Sequence, residues 1–318
     1  MAQQGSIRRA MPNQDARQEW AERRRAMERS RQSYSPDGIS PQRPALSDIA
    51  VPILRFGLGI TGLRKRAERN ALAVGLNTIR LSLPDLPPAF HGYRILQLSD
   101  LHLDIHPDLA ARLAQVVEGV EADLVLYTGD YSTRHQRQPL GGLRELAPLA
   151  RALRGRDGSI AILGNHDDAG TAEHLEAMGL TLLINEHVSI ARGGDVLHLT
   201  GLDDVHHFYS EHALQALQEA PEGFRVAVVH SPEAADLAAA EGYRLYLCGH
   251  THGGQICLPG GRPLLSAMTR CHDLVSGHWT FGAMQGFTSR GVGSSGLPAR
   301  FNCPPEACLI ELSRADAD

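Results

Sequence analysis

From about residue 71 the chain alternates short apolar runs with segments of helical periodicity. The runs are a few residues long and rich in Leu or β-branched residues, which is typical of buried strands. They lie at residues 94–98, 124–127, 160–163, 226–229 and 245–247. Between the first two, residues 108–120 place their apolar side chains on one stripe, as an amphipathic helix does. This alternation predicts an α/β domain with a mostly interior sheet.

Two further patterns complete the predicted secondary structure. Ser231 followed by Pro232 is typical of a helix start, and Gly242 is well placed to end that helix. Residues 180–190 and 196–199 have the composition of a further pair of strands. Both patterns agree with the α/β prediction.

The first 70 residues differ from the rest of the chain. Residues 1–44 carry nine Arg and five acidic residues with little apolar content, so we expect a disordered basic tail over residues 1–45. A short helix across residues 15–31 is the alternative. Residues 46–70 form a lead-in segment, whose apolar stretch 51–63 is too short to span a membrane. We expect one folded domain over residues 71–318.

Composition and charge bear on the partners and the cellular location of the protein. The formal net charge is −5 and the sequence pI is about 6.3, which disfavours nucleic acid as a partner. The five Cys form no C-x-x-C pair, so we expect free thiols in a reducing, cytoplasmic location. The basic run Arg64, Lys65 and Arg66 follows the apolar stretch, and peripheral membrane contact through residues 46–70 is the alternative. The oligomeric state stays open.

Each of the five apolar runs is followed by side chains of types that commonly bind metals. These residues are Asp100, His102, Asp130, Asn165, His230, His250 and His252. Ligands of open α/β sheets gather outside the carboxyl ends of the strands, so we expect these side chains at one edge. Imidazole, carboxylate and amide donors suit Mn, Fe or Zn better than Mg or Ca.

The spacing of these residues supports a shared site. Asp100 and His102 are two positions apart, and in an extended chain such residues point to the same side. The same spacing separates His250 from His252. A Gly directly before Asp130, before Asn165 and before His250 lets the chain turn sharply and keeps side-chain bulk away. Each short motif alone occurs by chance, but five in order predict a metal centre.

The ordered set D-x-H, G-D, G-N-H-D, H and G-H-T-H resembles that of the calcineurin-like metallophosphoesterase superfamily, over about residues 90–313. Residues 250–256 and 290–306 resemble its bacterial YkuE/YaeI-type phosphodiesterase branch. The resemblance implies a four-layer α/β/β/α sandwich of two mixed sheets flanked by helices, with metals at the C-terminal edge of the strands. It would make residues 71–318 the catalytic domain.

The resemblance also implies the roles of the site residues. Asp100, His102 and His252 would hold one ion, Asn165, His230 and His250 a second, and Asp130 would bridge them. His166 would be the catalytic acid, with support of the site as the alternative. Two divalent ions, two aspartates and a bridging hydroxide sum to +1, which attracts a phosphate ester.

The predicted function is therefore a dinuclear-metal hydrolase of phosphate esters, in first place a phosphodiesterase acting on a small-molecule or lipid-linked substrate. The alternatives are a phosphomonoesterase, a lipid-linked pyrophosphate hydrolase, a structural metal protein and a non-catalytic binding protein that keeps the fold. Filled ligand positions argue against the binding protein. The sequence leaves the substrate and the metal unnamed.

Other polar residues near these motifs have two interpretations each. Asp167 orients His166 or caps the following segment. The group Asp203, Asp204, His206 and His207 supports the site or forms a turn, and the turn is favoured. Arg290 and Arg300 bind a substrate anion or form salt bridges within the C-terminal segment.

Overall fold

Two mixed β-sheets form the centre of the fold in the computed structural model, which describes residues 6–8, 14–30, 32–41, 46–133, 140–264 and 268–315. The strands are β1 Ser6–Arg8, β2 Gln32–Ser35, β3 Gly38–Pro41, β4 Gly75–Leu83, β5 Tyr93–Leu98, β6 Leu124–Tyr127, β7 Gly158–Ala161, β8 Thr181–Leu182, β9 Glu186–Arg192, β10 Asp195–Gly201, β11 Phe224–Val228, β12 Leu245–Cys248, β13 Gly277–Phe281, β14 Met284–Thr288 and β15 Glu306–Arg314. The α-helices are α1 Gln14–Arg29, α2 Leu46–Ile60, α3 Arg64–Ala71, α4 Leu109–Val117, α5 Gly141–Ala152, α6 Ala169–Ala177, α7 Glu211–Gln218 and α8 Ala235–Ala240.

The seven-stranded sheet has the order β1-β9-β10-β11-β12-β14-β13, and the six-stranded sheet has the order β4-β15-β5-β6-β7-β8. In the first sheet β10, β11, β12 and β14 run parallel, with antiparallel neighbours at both edges. In the second sheet β5, β6, β7 and β8 run parallel, while β15 pairs antiparallel with β5. A separate two-stranded ribbon joins β2 and β3.

The two sheets pack face to face, and helices cover both outer faces. One buried cluster contains Leu126 and Ile160 of the six-stranded sheet together with Val228 and Leu247 of the seven-stranded sheet. A second cluster packs α4, α5 and α6 on the outer face of the six-stranded sheet. A third packs α7 and α8 on the other sheet. The predicted four-layer α/β/β/α sandwich is confirmed.

The five predicted apolar runs are strands β5, β6, β7, β11 and β12. The predicted helix at residues 108–120 is α4, which ends at Val117 ahead of Gly119 in a left-handed conformation. The helix predicted from Ser231 begins as a 3₁₀ turn at Pro232–Ala234 and continues as α8. All five cysteines are free and four of them are buried.

The structure differs from the predicted disorder of the N-terminal tail. Within residues 1–45 it contains β1, α1 and the β2–β3 ribbon, while positions 1–5, 9–13, 31 and 42–45 lie outside the described residues. The reason is long-range: Trp20 packs on the core around α4 to α6, and Arg24 is buried. The boundaries at residues 45 and 70 stay predictions.

The lead-in segment 46–70 forms the pair of helices α2 and α3. Val51, Leu54 and Leu58 face a small cluster with Leu297 and Ala299. Among the helices of the described residues, none combines the length and apolar character needed to cross a bilayer.

Candidate metal centre

The structure brings all seven predicted ligand residues to one edge of the two sheets. Each follows the carboxyl end of a parallel strand by two to four residues. The six-stranded sheet supplies Asp100, His102, Asp130 and Asn165 after β5, β6 and β7, and the seven-stranded sheet supplies His230, His250 and His252 after β11 and β12. The site therefore lies where the two sheets meet.

The first group of side chains is Asp100, His102, Asp130 and His252. One ligand-type atom from each lies within 4.8 Å of those of the other three. His102 Nε2 is 3.5 Å from Asp130 Oδ2, and His252 Nε2 is 3.5 Å from Asp100 Oδ1. The rings of His102 and His252 stack with centroids 5.1 Å apart. All four side chains are buried, so their donor atoms face one another and not the solvent.

The second group centres on the Asn165 amide oxygen. Asn165 Oδ1 is 3.0 Å from His230 Nε2 and 2.8 Å from His250 Nδ1. The other ring nitrogen of His230 donates to the Thr128 carbonyl at 2.7 Å, which directs Nε2 at the cluster. His230 Nε2 also lies 3.4 Å from Asp130 Oδ2. Asp130 thus touches one histidine of each group.

The ligand loops do not have the extended backbone that the two-residue spacing suggested. Asp100, His102, Asp130, His250 and His252 have φ between 38° and 71°, in the left-handed region. Such conformations cost about 1–3 kcal/mol each and persist only where the surroundings fix them. Here the His250 N–H donates to the Asp100 carboxylate at 3.0 Å. The pairs still converge, but through tight turns.

Gly164 and Gly249, which precede candidate ligands, allow other atoms to approach the backbone closely and do not adopt an unusual φ. A Cβ on Gly164 would lie 2.3 Å from Asp130 Oδ1, and a Cβ on Gly249 would lie 1.8 Å from Ser99 Oγ. Neither glycine has a positive φ. The prediction that these glycines keep bulk away from the site agrees with this geometry.

Unpartnered buried nitrogens show that the site fits metal ions. Both ring nitrogens of His102 and Nε2 of His250 are buried without a hydrogen-bond partner among the described residues. An unsatisfied buried polar atom costs about 1–3 kcal/mol, and a metal ion would remove that cost. Burial, together with the neighbouring imidazoles, holds the pKa values of His250 and His252 well below their usual range. Neutral imidazole is the form that binds metal.

The Asp130 carboxylate is held in its charged form. Burial alone would raise its pKa, but the charges of His230 and His166 hold the pKa of Asp130 well below its usual range. The His166 N–H donates to Asp130 Oδ1 at 2.8 Å, and the His166 ring lies edge-on to His102 with centroids 5.2 Å apart. His166 therefore lies beside the ligand cluster.

The main contacts of Asp167 differ from both of its predicted roles, which were to orient His166 or to cap the following segment. Its carboxylate accepts the N–H groups of Asp130 at 2.7 Å, Tyr131 at 3.0 Å and Gly164 at 2.8 Å. The helix cap at the start of α6 is Asp168. Burial and the charge of Asp130 raise the pKa of Asp167 to about 7. Asp167 fastens the loop after β6 to the loop after β7.

The remaining polar residues have structural contacts. Asp204 accepts the N–H groups of His206 at 3.3 Å and His207 at 2.8 Å, as the turn interpretation predicted. Arg290 pairs with Glu306. Arg300 is buried and donates to backbone carbonyls, including that of His252 at 3.3 Å.

A pair of polar residues next to the candidate ligand histidines, His206 and Glu233, was not predicted from the sequence. His206 Nδ1 lies 2.6 Å from Glu233 Oε2, and the His206 ring is 4.4 Å from that of His250. Burial would raise the pKa of Glu233, but the hydrogen bond and charge of His206 lower it to about 2. Glu233 also accepts the Thr269 N–H at 2.6 Å. These partners are far apart in sequence, and no local pattern pairs them.

Comparison with known proteins agrees with this site. A family model described as calcineurin-like phosphoesterase matches residues 93–254, about half of the chain, and that range includes all seven ligand residues and His166. The chain is 29% identical over 264 residues to the metallophosphoesterase YkuE of Bacillus subtilis, covering 79% of this chain and 89% of YkuE. It is 32% identical over 232 residues to the phosphodiesterase YaeI of Escherichia coli, covering 69% of this chain and 82% of YaeI. The chain belongs to the calcineurin-like phosphoesterase family of metal-dependent phosphoester hydrolases, which use a dinuclear divalent metal centre.

Proposed function

We propose that the protein is a phosphodiesterase with two metal ions at the strand-end cluster. Asp100, His102 and His252 would hold one ion, Asn165, His230 and His250 the other, and Asp130 would bridge them. The position of Asp130 supports this division most directly. Its Oδ2 lies 3.5 Å from a histidine of the first group and 3.4 Å from a histidine of the second.

The donor atoms favour Mn, Fe or Zn. Four imidazoles together with two carboxylates and one amide oxygen suit these ions, unlike the all-oxygen sites of Mg or Ca. Bound at these residues, two such ions would supply an activated water and would polarise the phosphoryl oxygens of the substrate. The two aspartates neutralise only part of a charge of +4, so a phosphate anion is attracted although the chain as a whole is acidic.

His166 is the residue that would protonate the leaving oxygen. Its backbone N–H is fixed on Asp130, and its ring lies beside the first group of ligands without being needed to complete either set. A general acid must lie within reach of the atom that it protonates. The side chain is partly exposed, so a substrate can approach it.

A phosphodiester is the favoured substrate because the relative YaeI is named as a phosphodiesterase. A phosphomonoester or a lipid-linked pyrophosphate is the alternative. The test uses metal-free protein reconstituted with Mn, Zn or Fe and assayed on bis(p-nitrophenyl) phosphate and on p-nitrophenyl phosphate. Preferential cleavage of the diester supports the proposal. Preferential cleavage of the monoester contradicts it, and no turnover with any metal refutes the enzyme itself.

We also infer peripheral contact with an anionic membrane surface through the lead-in segment. Ile53, Phe56 and Ile60 of α2 are 67%, 71% and 71% exposed, at spacings that place them on one side of the helix. Residues 51–67 contain four basic and no acidic residues, including the exposed run Arg64 to Arg66. Exposed apolar side chains beside basic ones are typical of interfacial helices.

Co-sedimentation with vesicles tests this contact. Binding to phosphatidylglycerol vesicles, with weaker binding to phosphatidylcholine vesicles, is expected. Phe56→Ser with Ile60→Ser should abolish binding, whereas Leu258→Ser, an exposed leucine elsewhere, should not. Equal binding by the double variant, or self-association through α2 without lipid, would contradict the inference. A cytoplasmic location stays a prediction.

A further inference from the structure

An arginine from the N-terminal tail is buried against the candidate metal centre. Arg24 lies in α1, outside the residues 93–254 that match the family model, and its side chain is only 1% exposed. Burying a charged group is costly unless it is paired and fully hydrogen-bonded. The partners of Arg24 therefore indicate what the helix does.

Two of those partners are backbone carbonyls on both sides of the Asn165–His166 pair. Arg24 Nη2 donates to the Asp167 carbonyl at 2.7 Å and to the Gly164 carbonyl at 3.3 Å. The guanidinium thus holds the loop after β7 at two points. Between them lie one proposed metal ligand and the proposed catalytic acid.

The same side chain contacts a second loop of the site. Arg24 Nη1 pairs with the Asp203 carboxylate, and the guanidinium lies over the Phe208 ring at 3.5 Å. Asp203 also accepts from Trp20 Nε1 at 2.7 Å. His206, which touches the ring of His250, lies between Asp203 and Phe208. Arg24 therefore links the loop of residues 164–168 to the loop of residues 203–208.

The next turn of α1 adds a further contact. Glu28 accepts from Arg24 Nε at 3.2 Å and from the Ala169 N–H at 2.8 Å. The fork of an arginine can serve two carbonyls and two carboxylates at once, whereas the single ammonium of lysine cannot reproduce that geometry. Arg24 and Glu28 together fix the loop from Gly164 to the start of α6.

We propose that Arg24 is a positioning residue of the active site, and that helix α1, which carries it, is required for full activity. It fixes Asn165 for metal binding and His166 for proton transfer by holding the backbone on both sides of them. The proposal rests on the proposed function for its catalytic part. Its effect on loop order and metal affinity does not depend on turnover.

The experiment compares Arg24→Ala, Arg24→Lys and the control Arg25→Ala, which removes an exposed arginine from the same helix. Loss of a group that orients a metal ligand typically lowers affinity or activity by about 10–100-fold. We expect kcat to fall by that factor in both Arg24 variants, with KM within about twofold of wild type. Mn²⁺ titration should show weaker binding of one of the two ions. Added guanidinium should restore part of the kcat of Arg24→Ala and none of the kcat of Arg24→Lys.

Amide hydrogen exchange of the metal-free proteins gives a readout without catalysis. Residues 164–169 should exchange faster in the Arg24 variants than in wild type or Arg25→Ala. If Arg24→Ala does not fold, Arg24→Lys, which keeps the charge and the aliphatic stem, decides the question. Wild-type kcat, Mn²⁺ affinity and exchange in Arg24→Lys would overturn the proposal. If wild type itself lacks turnover, the proposed function fails, while exchange and Mn²⁺ affinity still decide the role of Arg24.

Discussion

Replacing Gly249 by Ala should displace the proposed metal ligand Asp100. A Cβ at this position would lie 1.8 Å from Ser99 Oγ and 2.3 Å from Asp100 Oδ2. Non-bonded Cβ contacts shorter than 3.0 Å are essentially never seen, so the shortfalls are 3.0 − 1.8 = 1.2 Å and 3.0 − 2.3 = 0.7 Å. Ser99 can rotate away, but it then loses its 2.6 Å hydrogen bond to Asp100. The carboxylate must move in either case.

The expected effects follow from that displacement. Overpacking a tightly packed site typically costs about 1–3 kcal/mol of unfolding free energy. A misplacement of about 1 Å at a reacting centre can cost about 10²-fold in rate. We therefore expect Gly249→Ala to lose about 10²-fold in kcat/KM and about 10-fold in affinity for one ion, since Asp100 is its proposed ligand. Urea unfolding, Mn²⁺ titration and the diester assay measure the three quantities.

Gly75→Ala is the matched control, because a Cβ there meets no atom of the described residues within 4 Å and its φ is not positive. Its turnover should equal that of wild type. Wild-type turnover and metal affinity in Gly249→Ala would refute the reasoning, since the close approach of Gly249 to Asp100 would then have no function.

Three further predictions concern single side chains. Asn165→Ala should lose one of two bound ions, measured by metal analysis after dialysis, because its amide oxygen lies between His230 and His250; two retained ions would contradict the proposed ligand set. His166→Ala should keep both ions and lose about 10²–10⁴-fold in kcat, the usual contribution of a general acid; loss of metal would make it a ligand. The pKa of Glu233 is lowered from 4.5 to about 2. Ionised Glu233 therefore stabilises the fold by about 3 kcal/mol above pH 4.5, and this contribution is lost as the pH falls to 2. The stability difference between wild type and Glu233→Gln in urea should therefore shrink over this range, and a constant difference would contradict the assignment.

The clustering of the candidate ligands could be predicted because it depends on local pattern. Each apolar run predicts a strand, and the residue type just after the strand is visible in the sequence, as with Asp130 after β6. Parallel strands bring such positions to one edge, so the clustering follows from the fold class. Resemblance to a family then supplied the four-layer architecture, which the packing of the two sheets confirms.

The supporting contacts could not be predicted, because they join residues that are far apart in sequence. Arg24 lies in a polar, Arg-rich segment that has the composition of a disordered tail, and its contacts with Asp203 and two carbonyls are long-range. The pairing of His206 with Glu233 has the same origin. The left-handed backbone of His102 and His252 was also missed, since the two-residue spacing fits an extended chain equally well.

Metal stoichiometry measured together with turnover tests the central claim most directly. Metal-free protein is titrated with Mn²⁺. At each point the bound ions per chain are counted by elemental mass spectrometry, and the hydrolysis of bis(p-nitrophenyl) phosphate is followed. We predict two bound ions per chain, with turnover appearing as the second site fills. Full turnover with one ion or none would contradict a dinuclear centre, and two bound ions without turnover would contradict the hydrolase.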